Sequence, residues 1–219
     1  VCGKRFRKFV PYGRDGRVAR ANALCHNCLA LERHRLLWLY LKEKTDFFTA
    51  EHRLLHIAPE ICFMERFEAM PNLDYITGDI ESPLAKVKMD IHEIPFEDAS
   101  FDICFCNHVM EHVADDIKAM GEIKRILRPG GWAIIQIPLF LPIPEKTIED
   151  PAITDPKERE RVYGQDDHVR MYGLDYADRL RTAGFQVTED KFVLELPTEV
   201  VERHAFQREE VIFFCQKEA

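Results

Sequence analysis

Short apolar segments, each closed by a polar residue or a turn, recur through the middle of this chain. They read RLLHIAP (53–59), LDYITGD (73–79), VKMD (87–90), FDICFC (101–106) and GWAIIQIP (131–138). Helix-type segments alternate with most of them, and this alternation favours a wound, parallel α/β sheet. Such sheets bind their ligands outside the carboxyl ends of the strands. The residues that close these segments are therefore the first candidates for a binding site.

The first 35 residues differ in charge from the remainder. They hold nine Lys or Arg against two acids, a balance of +7, whereas the whole chain of 219 residues carries −8, which leaves −15 for the rest. We therefore predict a boundary near residue 35, between a small N-terminal module (1–35) and a main domain (36–219).

Three cysteines in the N-terminal module have metal-ligand spacing. Cys25 and Cys28 form a CxxC motif, and Cys2 lies across a strand-like stretch from them. Zinc prefers four ligands, so we predict a zinc-ribbon-like module whose fourth ligand is a cysteine just before Val1. His26 and His34 are the internal alternatives. A further alternative is that these are ordinary free cysteines, because a single CxxC is a weak signal.

The cysteines and the apolar runs also bear on the compartment. The seven cysteines are odd in number and scattered, which argues against a secreted disulfide framework. No stretch approaches 18 consecutive apolar residues, and the N-terminus is basic rather than signal-like. We expect a cytoplasmic protein without a membrane partner.

The run KMDIHEIPFEDASFDICFCNHVMEHV, followed by EIKRILRPGGWAIIQIP, resembles the class I S-adenosylmethionine (SAM) dependent methyltransferases. It is most similar to the branch that reads LPFxDxSFDxVxxxxVLEHV and then RxLxPGG. The resemblance covers residues 53–219. It implies a Rossmann-like, doubly wound sheet of seven strands, mostly parallel with an antiparallel C-terminal strand. It also implies SAM as cofactor and methyl transfer to an O, N or S nucleophile of an unidentified small molecule.

In that family the first strand ends in a glycine-rich turn beside the cofactor. Here the turn has no glycine, so we expect either that small Ala58 suffices for close approach or that SAM affinity has been lost. By resemblance, Asp79 accepts hydrogen bonds from the ribose hydroxyls, and Asp90 meets the adenine amino group. For both acids the alternative is a turn cap. The predicted cofactor-binding residues are His56, Ala58, Pro59, Glu60, Asp79, Asp90, Ile91, Asn107 and His108.

Residues 108–112 spell HxxEH, a spacing that on a helix would place two imidazoles on one face, as in a class of zinc peptidases. The segment follows an apolar strand at the ligand edge, and the resembled family carries similar residues without metal. We therefore disfavour a peptidase and expect Glu111 and His112 to satisfy neighbouring backbone groups.

A long, proline-rich segment (139–172) interrupts the predicted sheet, and long segments of this kind often bind substrate. Its richest polar cluster includes His168, Arg170 and Tyr172. We predict that these three form the catalytic set, with His168 as a general base and Arg170 paired with an anionic substrate group. The alternative is a hydrogen-bonded clasp that holds the segment on the domain.

Two other functions compete with small-molecule methylation. One is an RNA methyltransferase, in which basic residues of the zinc module bind phosphates and aromatic residues stack on bases. The residues concerned are Arg5, Arg7, Lys8, Arg14 and Arg17, with Phe6, Phe9 and Tyr12. The other is a non-catalytic binding module descended from an enzyme, which the glycine-free turn suggests. The oligomeric state is left open.

Overall fold

The computed structural model describes residues 1–13 and 20–219. They form two compact units. Unit 1 comprises Val1–His52, Pro59–Asp74 and Asp190–Val211, and unit 2 comprises Arg53–Ala58, Tyr75–Glu189 and Ile212–Ala219. The predicted boundary near residue 35 stays a prediction. Arg14 and Arg17, which the competing RNA interpretation would place on phosphates, lie outside the described residues.

Strands and helices alternate through much of the chain. The strands are β1 (Val10–Tyr12), β2 (Arg20–Leu24), β3 (His52–Ile57), β4 (Leu73–Asp79), β5 (Val87–Lys88), β6 (Phe101–Asn107), β7 (Leu127–Gln136), β8 (Ile148–Glu149), β9 (Arg170–Met171), β10 (Gln186–Asp190) and β11 (Ile212–Gln216). The helices are α1 (Glu32–Lys44), α2 (Ile61–Glu68), α3 (Asp116–Ile126), α4 (Pro156–Tyr163), α5 (Tyr176–Thr182) and α6 (Thr198–His204). A short 3-10 turn covers Phe192–Leu194.

Seven strands form one sheet in the order β10-β11-β7-β6-β3-β4-β5. The pairs β3 with β6, β6 with β7, and β4 with β5 are parallel, whereas β11 runs antiparallel to β7. Central residues of β3, β6 and β7 are fully buried, which explains their nearly continuous apolar sequences. The predicted Rossmann-like sheet, mostly parallel with an antiparallel C-terminal strand, is confirmed.

Gly130 and Gly131 lie within the first half of β7. Helix α3 ends at Ile126 and β7 begins at Leu127, so 128–131 belong to an irregular start of the strand. A β-bulge lies here, because Phe101 pairs with Leu127 but Ile103 pairs with Trp132. A Cβ on Gly131 would lie 2.9 Å from two carbonyl oxygens, so the bulge requires glycine at this position.

The long segment 139–172 contains structure of its own. Helix α4 lies within it, capped by Asp155, whose carboxylate accepts a hydrogen bond from the Glu158 backbone N–H. Strands β8 and β9 pair antiparallel, with Ile148 opposite Met171. The segment is therefore a folded excursion from the sheet rather than an open loop.

Unit 1 begins with an antiparallel hairpin of β1 and β2, in which Val10 pairs with Leu24. Helix α1 follows, and its Arg35 is almost fully buried. The Arg35 guanidinium donates to the carbonyls of Ala23, Ala30 and His204 at 2.8–3.0 Å. One cation thus joins β2, the CxxC turn and the end of α6.

No helix within 1–13 and 20–219 combines the length and apolar character that a membrane span needs.

Candidate functional site

The carboxyl ends of β3 and β4 and the segment after β5 are joined by backbone contacts in unit 2. The Ala58 N–H donates to the Gly78 carbonyl at 2.9 Å, and the Met89 N–H donates to the Asp79 carbonyl at 2.9 Å. A Cβ on Gly78 would lie 2.5 Å from the Met89 sulfur, so glycine allows this close approach. These contacts bring Ala58, Asp79 and the residue before Asp90 to one edge of the sheet.

Ala58 adopts the left-handed backbone conformation, with φ +48°. An L-residue in this region costs about 1–2 kcal/mol. The turn nevertheless reaches the conformation that glycine favours, and it does so with a small side chain. Close approach of a ligand to this turn is therefore compatible with the sequence.

Asp79 and Asp90 both cap turns, as the alternative interpretation proposed. Asp79 Oδ1 accepts from the backbone N–H groups of Glu81 and Ser82 at 2.8 and 2.7 Å. Asp90 Oδ1 accepts from the backbone N–H of His92 at 2.8 Å and lies 2.8 Å from that residue's Nδ1. These hydrogen bonds, the backbone one first, lower the pKa of Asp90, so the carboxyl is ionised at neutral pH.

Turn capping occupies one oxygen of each carboxylate. Among the described residues, no hydrogen bond reaches the Oδ2 atom of Asp79 or of Asp90. Ile91, which follows Asp90, is mostly buried and offers an apolar surface. Two acceptor carboxylates, an apolar side chain and a small turn residue fit the hydroxyls, amino group and ring of an adenosine. The donor set is therefore suitable for SAM.

The other predicted cofactor residues occupy varied environments. His56 is fully buried, with Nδ1 2.9 Å from the Tyr75 hydroxyl. Asn107 ends β6 and pairs in register with Gln136, whose carbonyl accepts from the His108 N–H at 2.8 Å. Pro59 and Glu60 belong to unit 1, where Glu60 is the N-cap residue of α2. Their cofactor roles stay predictions.

Two segments that we treated separately in the sequence meet in unit 2. Residues 108–113 follow β6 as a turn, and His168 comes from the segment after α4. Ligand atoms of Glu111, His112 and His168 all lie within 4.8 Å of one another. The spacing of HxxEH indicates only two of these residues, because the third is brought in by tertiary structure. Residues 108–113 are not helical, so His108 and His112 do not share the helical face of the peptidase interpretation that we disfavoured.

Arg170 and Tyr172 connect these two segments. Arg170 Nη1 donates to the Met110 and Val113 carbonyls at 2.7 and 2.5 Å, and Nη2 donates to the Ala114 carbonyl at 2.9 Å. The Tyr172 hydroxyl donates to Asp116 Oδ2 at 2.8 Å. Both side chains are almost fully buried. These are the contacts of the clasp that we gave as the alternative, and the catalytic roles of both residues stay predictions.

His168 is fully buried beside this clasp. Its Nδ1 lies 3.2 Å from the Tyr163 carbonyl oxygen, and its Nε2 lies 2.9 Å from Gln165 Nε2. The carbonyl can only accept, so Nδ1 carries the proton and Nε2 accepts from the Gln165 amide. Burial lowers the pKa of His168, and the imidazole is neutral at pH 7. Its role as a general base stays a prediction.

The three predicted metal ligands of unit 1 are close together. Cys2 Sγ and Cys25 Sγ are 3.9 Å apart, and the thiols of Cys2, Cys25 and Cys28 lie within 4.8 Å of one another. The CxxC turn is closed by two backbone hydrogen bonds, from Leu29 N–H to the Cys25 carbonyl and from Cys25 N–H to the Ala30 carbonyl. Leu29 has φ +61°. Burial raises the pKa of Cys28, an effect that a bound cation would oppose.

Neither internal alternative for the fourth ligand joins the cysteines in the described part of the chain. His34 Nδ1 accepts from the Leu31 N–H at 3.0 Å, and its Nε2 lies 3.1 Å from Glu60 Oε1. The His26 ring packs edge-on against Phe6, with ring centroids 4.2 Å apart. A cysteine preceding Val1 therefore stays our prediction for the fourth ligand.

A cavity of about 410 Å³ lies within unit 1 beside the three cysteines. Its lining combines aromatic and cationic side chains, including Phe6, Phe9, Trp38, Arg5 and Arg203. Sequence reasoning identified Phe6, Phe9 and Arg5, whereas Trp38 and Arg203 come from distant parts of the chain.

Comparisons with known proteins agree with this architecture. Residues 55–135 match the model of a methyltransferase domain. An uncharacterised 37.1 kDa transposon protein of Streptomyces fradiae is 42% identical over 57 residues, 26% of this chain and 16% of that protein. A tRNA U34 carboxymethyltransferase of Nautilia profundicola is 38% identical over 77 residues, 35% of this chain and 24% of that protein. The chain thus aligns with less than a quarter of the length of either relative.

Solved structures show the same fold over most of the chain. A SAM-dependent methyltransferase from Mesorhizobium loti superposes with a TM-score of 0.54 at 12% identity, covering 85% of this chain and 98% of that one. One from Archaeoglobus fulgidus gives 0.52 at 16% identity, covering 84% and 94%. Residues 55–135, which include Ala58, Asp79 and Asp90, thus match a methyltransferase domain, and the chain has the fold of these solved structures.

Proposed function

We propose that the chain transfers a methyl group from SAM to an O, N or S nucleophile of a small molecule. One observation carries the proposal. Asp79 and Asp90 stand at one sheet edge, each with one carboxylate oxygen held in a turn and the other open to a ligand. This edge lies within the segment that matches the methyltransferase domain.

The chain's own residues hold and orient the cofactor in this proposal. Asp79 accepts from the ribose hydroxyls, Asp90 accepts from the adenine amino group, and Ile91 lies against the ring. Bound SAM supplies a methyl group that its positively charged sulfur has already activated. Positioning of the two reactants is therefore the main task left to the protein.

Calorimetry with SAM and with its demethylated product tests the proposal. Asp79→Asn keeps an oxygen for the turn but removes the charge that strengthens hydrogen bonds from the ribose. A hydrogen bond to a charged group contributes about 1.5–3 kcal/mol, so we expect binding to weaken about 10- to 100-fold.

Asp150→Asn is the matched control. Asp150 is exposed and also accepts from a backbone N–H two residues on, that of Ala152 at 2.9 Å, but outside the site. SAM affinity should be unchanged in this variant. If neither SAM nor its product binds the unsubstituted protein, methyl transfer is excluded and the non-catalytic binding module is favoured.

We also propose a structural zinc ion bound by Cys2, Cys25 and Cys28 with a fourth ligand from the residues before Val1. Three thiols within 4.8 Å and a closed CxxC turn support this proposal. The ion would stabilise a short, basic hairpin that buries few apolar side chains of its own.

RNA is the second candidate substrate. It is favoured by the aromatic and cationic lining of the unit 1 cavity and by the relative named as a tRNA U34 carboxymethyltransferase. Binding through phosphates would weaken steeply with salt. A combined Arg5→Gln, Arg7→Gln, Lys8→Gln variant should then reduce both the affinity for RNA and its salt dependence. A protein that ignores RNA at low salt would exclude this candidate.

A further inference from the structure

Glu111 is a buried carboxylate with incomplete hydrogen bonding. Its exposure is only 2%, and Oε2 has no hydrogen-bond partner among the described residues. Its other oxygen, Oε1, lies 3.6 Å from His108 Nδ1 and 4.0 Å from His112 Nε2, both longer than ordinary hydrogen bonds. A buried, ionisable oxygen without a partner is costly unless a cation or proton compensates it.

Two imidazoles face this carboxylate in orientations typical of metal ligands. His112 Nδ1 lies 3.4 Å from Asp167 Oδ2, and His168 Nδ1 lies 3.2 Å from the Tyr163 carbonyl. The Tyr163 carbonyl holds the Nδ1 proton of His168, and the Asp167 carboxylate lies on the Nδ1 side of His112, so the Nε2 atom of each ring is the one that faces away from these oxygens. Metal-binding histidines are held in the same way by outer oxygen acceptors.

Gln165 is the present partner of His168 Nε2, at 2.9 Å. The Gln165 side chain is only partly buried, so it can turn away at little cost when a stronger partner binds. The two rings cross at 86°, with centroids 4.8 Å apart, so they are arranged edge to face rather than stacked.

The contacts of Arg170 and Tyr172 hold together the two segments that carry Glu111, His112 and His168. Arg170 binds the carbonyls on both sides of Glu111 and His112, and the Val169 N–H donates to the Glu111 carbonyl at 2.8 Å. The rigid backbone contacts therefore preorganise the side chains, which is what a metal site requires.

We propose that Glu111, His112 and His168 bind one divalent transition-metal cation. Two imidazole nitrogens and one carboxylate oxygen suit Mn²⁺, Fe²⁺, Co²⁺ or Zn²⁺ and leave coordination positions open for oxygen ligands. The arrangement differs from that of the HxxEH peptidases, because residues 108–113 are not helical and the third ligand comes from residue 168.

Mn²⁺ is the probe that tests this site on the full-length protein without SAM. Thiolates select softer metals, so Mn²⁺ reports on nitrogen and oxygen ligands and not on the cysteines. We expect electron paramagnetic resonance to show one protein-bound Mn²⁺ per chain. His112→Gln should weaken this binding about tenfold or more, since even outer contacts of metal ligands contribute 10- to 100-fold.

His112 is the residue to change because its side chain is 36% exposed, so the variant should fold. His52→Gln is the matched control: that imidazole also pairs with a carboxylate, Asp46 Oδ1 at 3.2 Å, but lies in unit 1. As a second readout, Mn²⁺ should raise the thermal midpoint of the unsubstituted protein and of His52→Gln but not of His112→Gln. Absence of Mn²⁺ binding, or equal affinity in His112→Gln, would overturn the proposal, and neither result depends on SAM binding.

Discussion

Each unit contains three candidate metal ligands, but the two sets are assembled differently. In unit 1, Cys25 and Cys28 belong to one four-residue turn, and a hairpin brings Cys2 to them. In unit 2, Glu111 and His112 are adjacent, but His168 arrives from 56 residues further along the chain. The first site is therefore visible as a motif in the sequence, whereas the second depends on the tertiary structure.

The two sets also differ in the chemistry of their ligand atoms. Thiolates form closed tetrahedral sites with zinc that stabilise small folds. Two imidazoles and a carboxylate leave positions open, as catalytic metal sites do. Our two proposals therefore give the cysteine site a role in folding and the Glu111, His112 and His168 site a role in binding a further ligand.

The largest effect should come from Cys25→Ser in the full-length protein. Cys25 is buried at the centre of the cysteine cluster, and structural zinc contributes on the order of 10 kcal/mol to folding of such modules. We expect zinc content to fall from about one ion per chain to near zero, with the β1–β2 hairpin becoming sensitive to protease. Elemental analysis and limited proteolysis measure the two effects.

Cys215→Ala is the control for this substitution, since Cys215 is equally buried but lies in β11. Its zinc content should equal that of the unsubstituted protein. If the unsubstituted protein contains no zinc, the cysteines are not a metal site and the comparison between the units fails.

Arg170→Gln should produce the next largest effect. Removing the buried guanidinium leaves the Met110, Val113 and Ala114 carbonyls without their donor, and each buried acceptor left unsatisfied costs about 1–3 kcal/mol. Chemical denaturation should show this loss, and Mn²⁺ affinity should fall with it, because the turn that carries Glu111 is no longer held.

Arg161→Gln provides the comparison for Arg170→Gln. Among the described residues Arg161 pairs only with Glu158, on an exposed helix surface, so its loss should leave both stability and Mn²⁺ binding nearly unchanged. Similar stability losses in the two variants would show that the clasp does not hold the unit 2 site.

The smallest effect should come from replacing the residue with left-handed backbone conformation beside each set of candidate metal ligands. Leu29 has φ +61° and an exposed side chain, so Leu29→Gly should raise the free energy of unfolding by about 1 kcal/mol. His108→Gly, at φ +55°, should gain less, because it also loses the imidazole beside Glu111. Thermal unfolding checks both changes.

Ala99→Gly, at φ +50° on an exposed loop, serves as the reference for relief of backbone strain. A Leu29→Gly variant less stable than the parent would mean that the leucine side chain contributes to the cysteine turn.

Much of the fold could be predicted from the sequence because β3, β6 and β7 are continuous apolar runs between helical segments. The start of β7 could not, since Gly130 and Gly131 resemble a turn until the neighbouring strand β6 shows that they form a bulge. Local pattern therefore predicted the elements but not the irregular pairing between them.

The candidate site was predictable to a similar degree. Asp79 and Asp90 were found from their positions after strands, and their turn-capping contacts are equally local. The Glu111, His112 and His168 cluster was not found, because no local pattern links residue 168 to the turn after β6. Ala58 was noticed only because the turn lacks the glycine of the resembled family. An alanine in the sequence does not by itself predict a left-handed backbone conformation.

The guanidinium of Arg35 has a consequence for how the protein is made. Its Nε and Nη2 groups donate to the His204 carbonyl, 169 positions later in the chain. During synthesis the CxxC turn emerges from the ribosome well before His204 has been added to the chain. The Nε and Nη2 groups of Arg35 therefore remain hydrated until residue 204 is available to accept their hydrogen bonds. A chain truncated ahead of residue 204 would retain its cysteines and still lack a finished N-terminal unit.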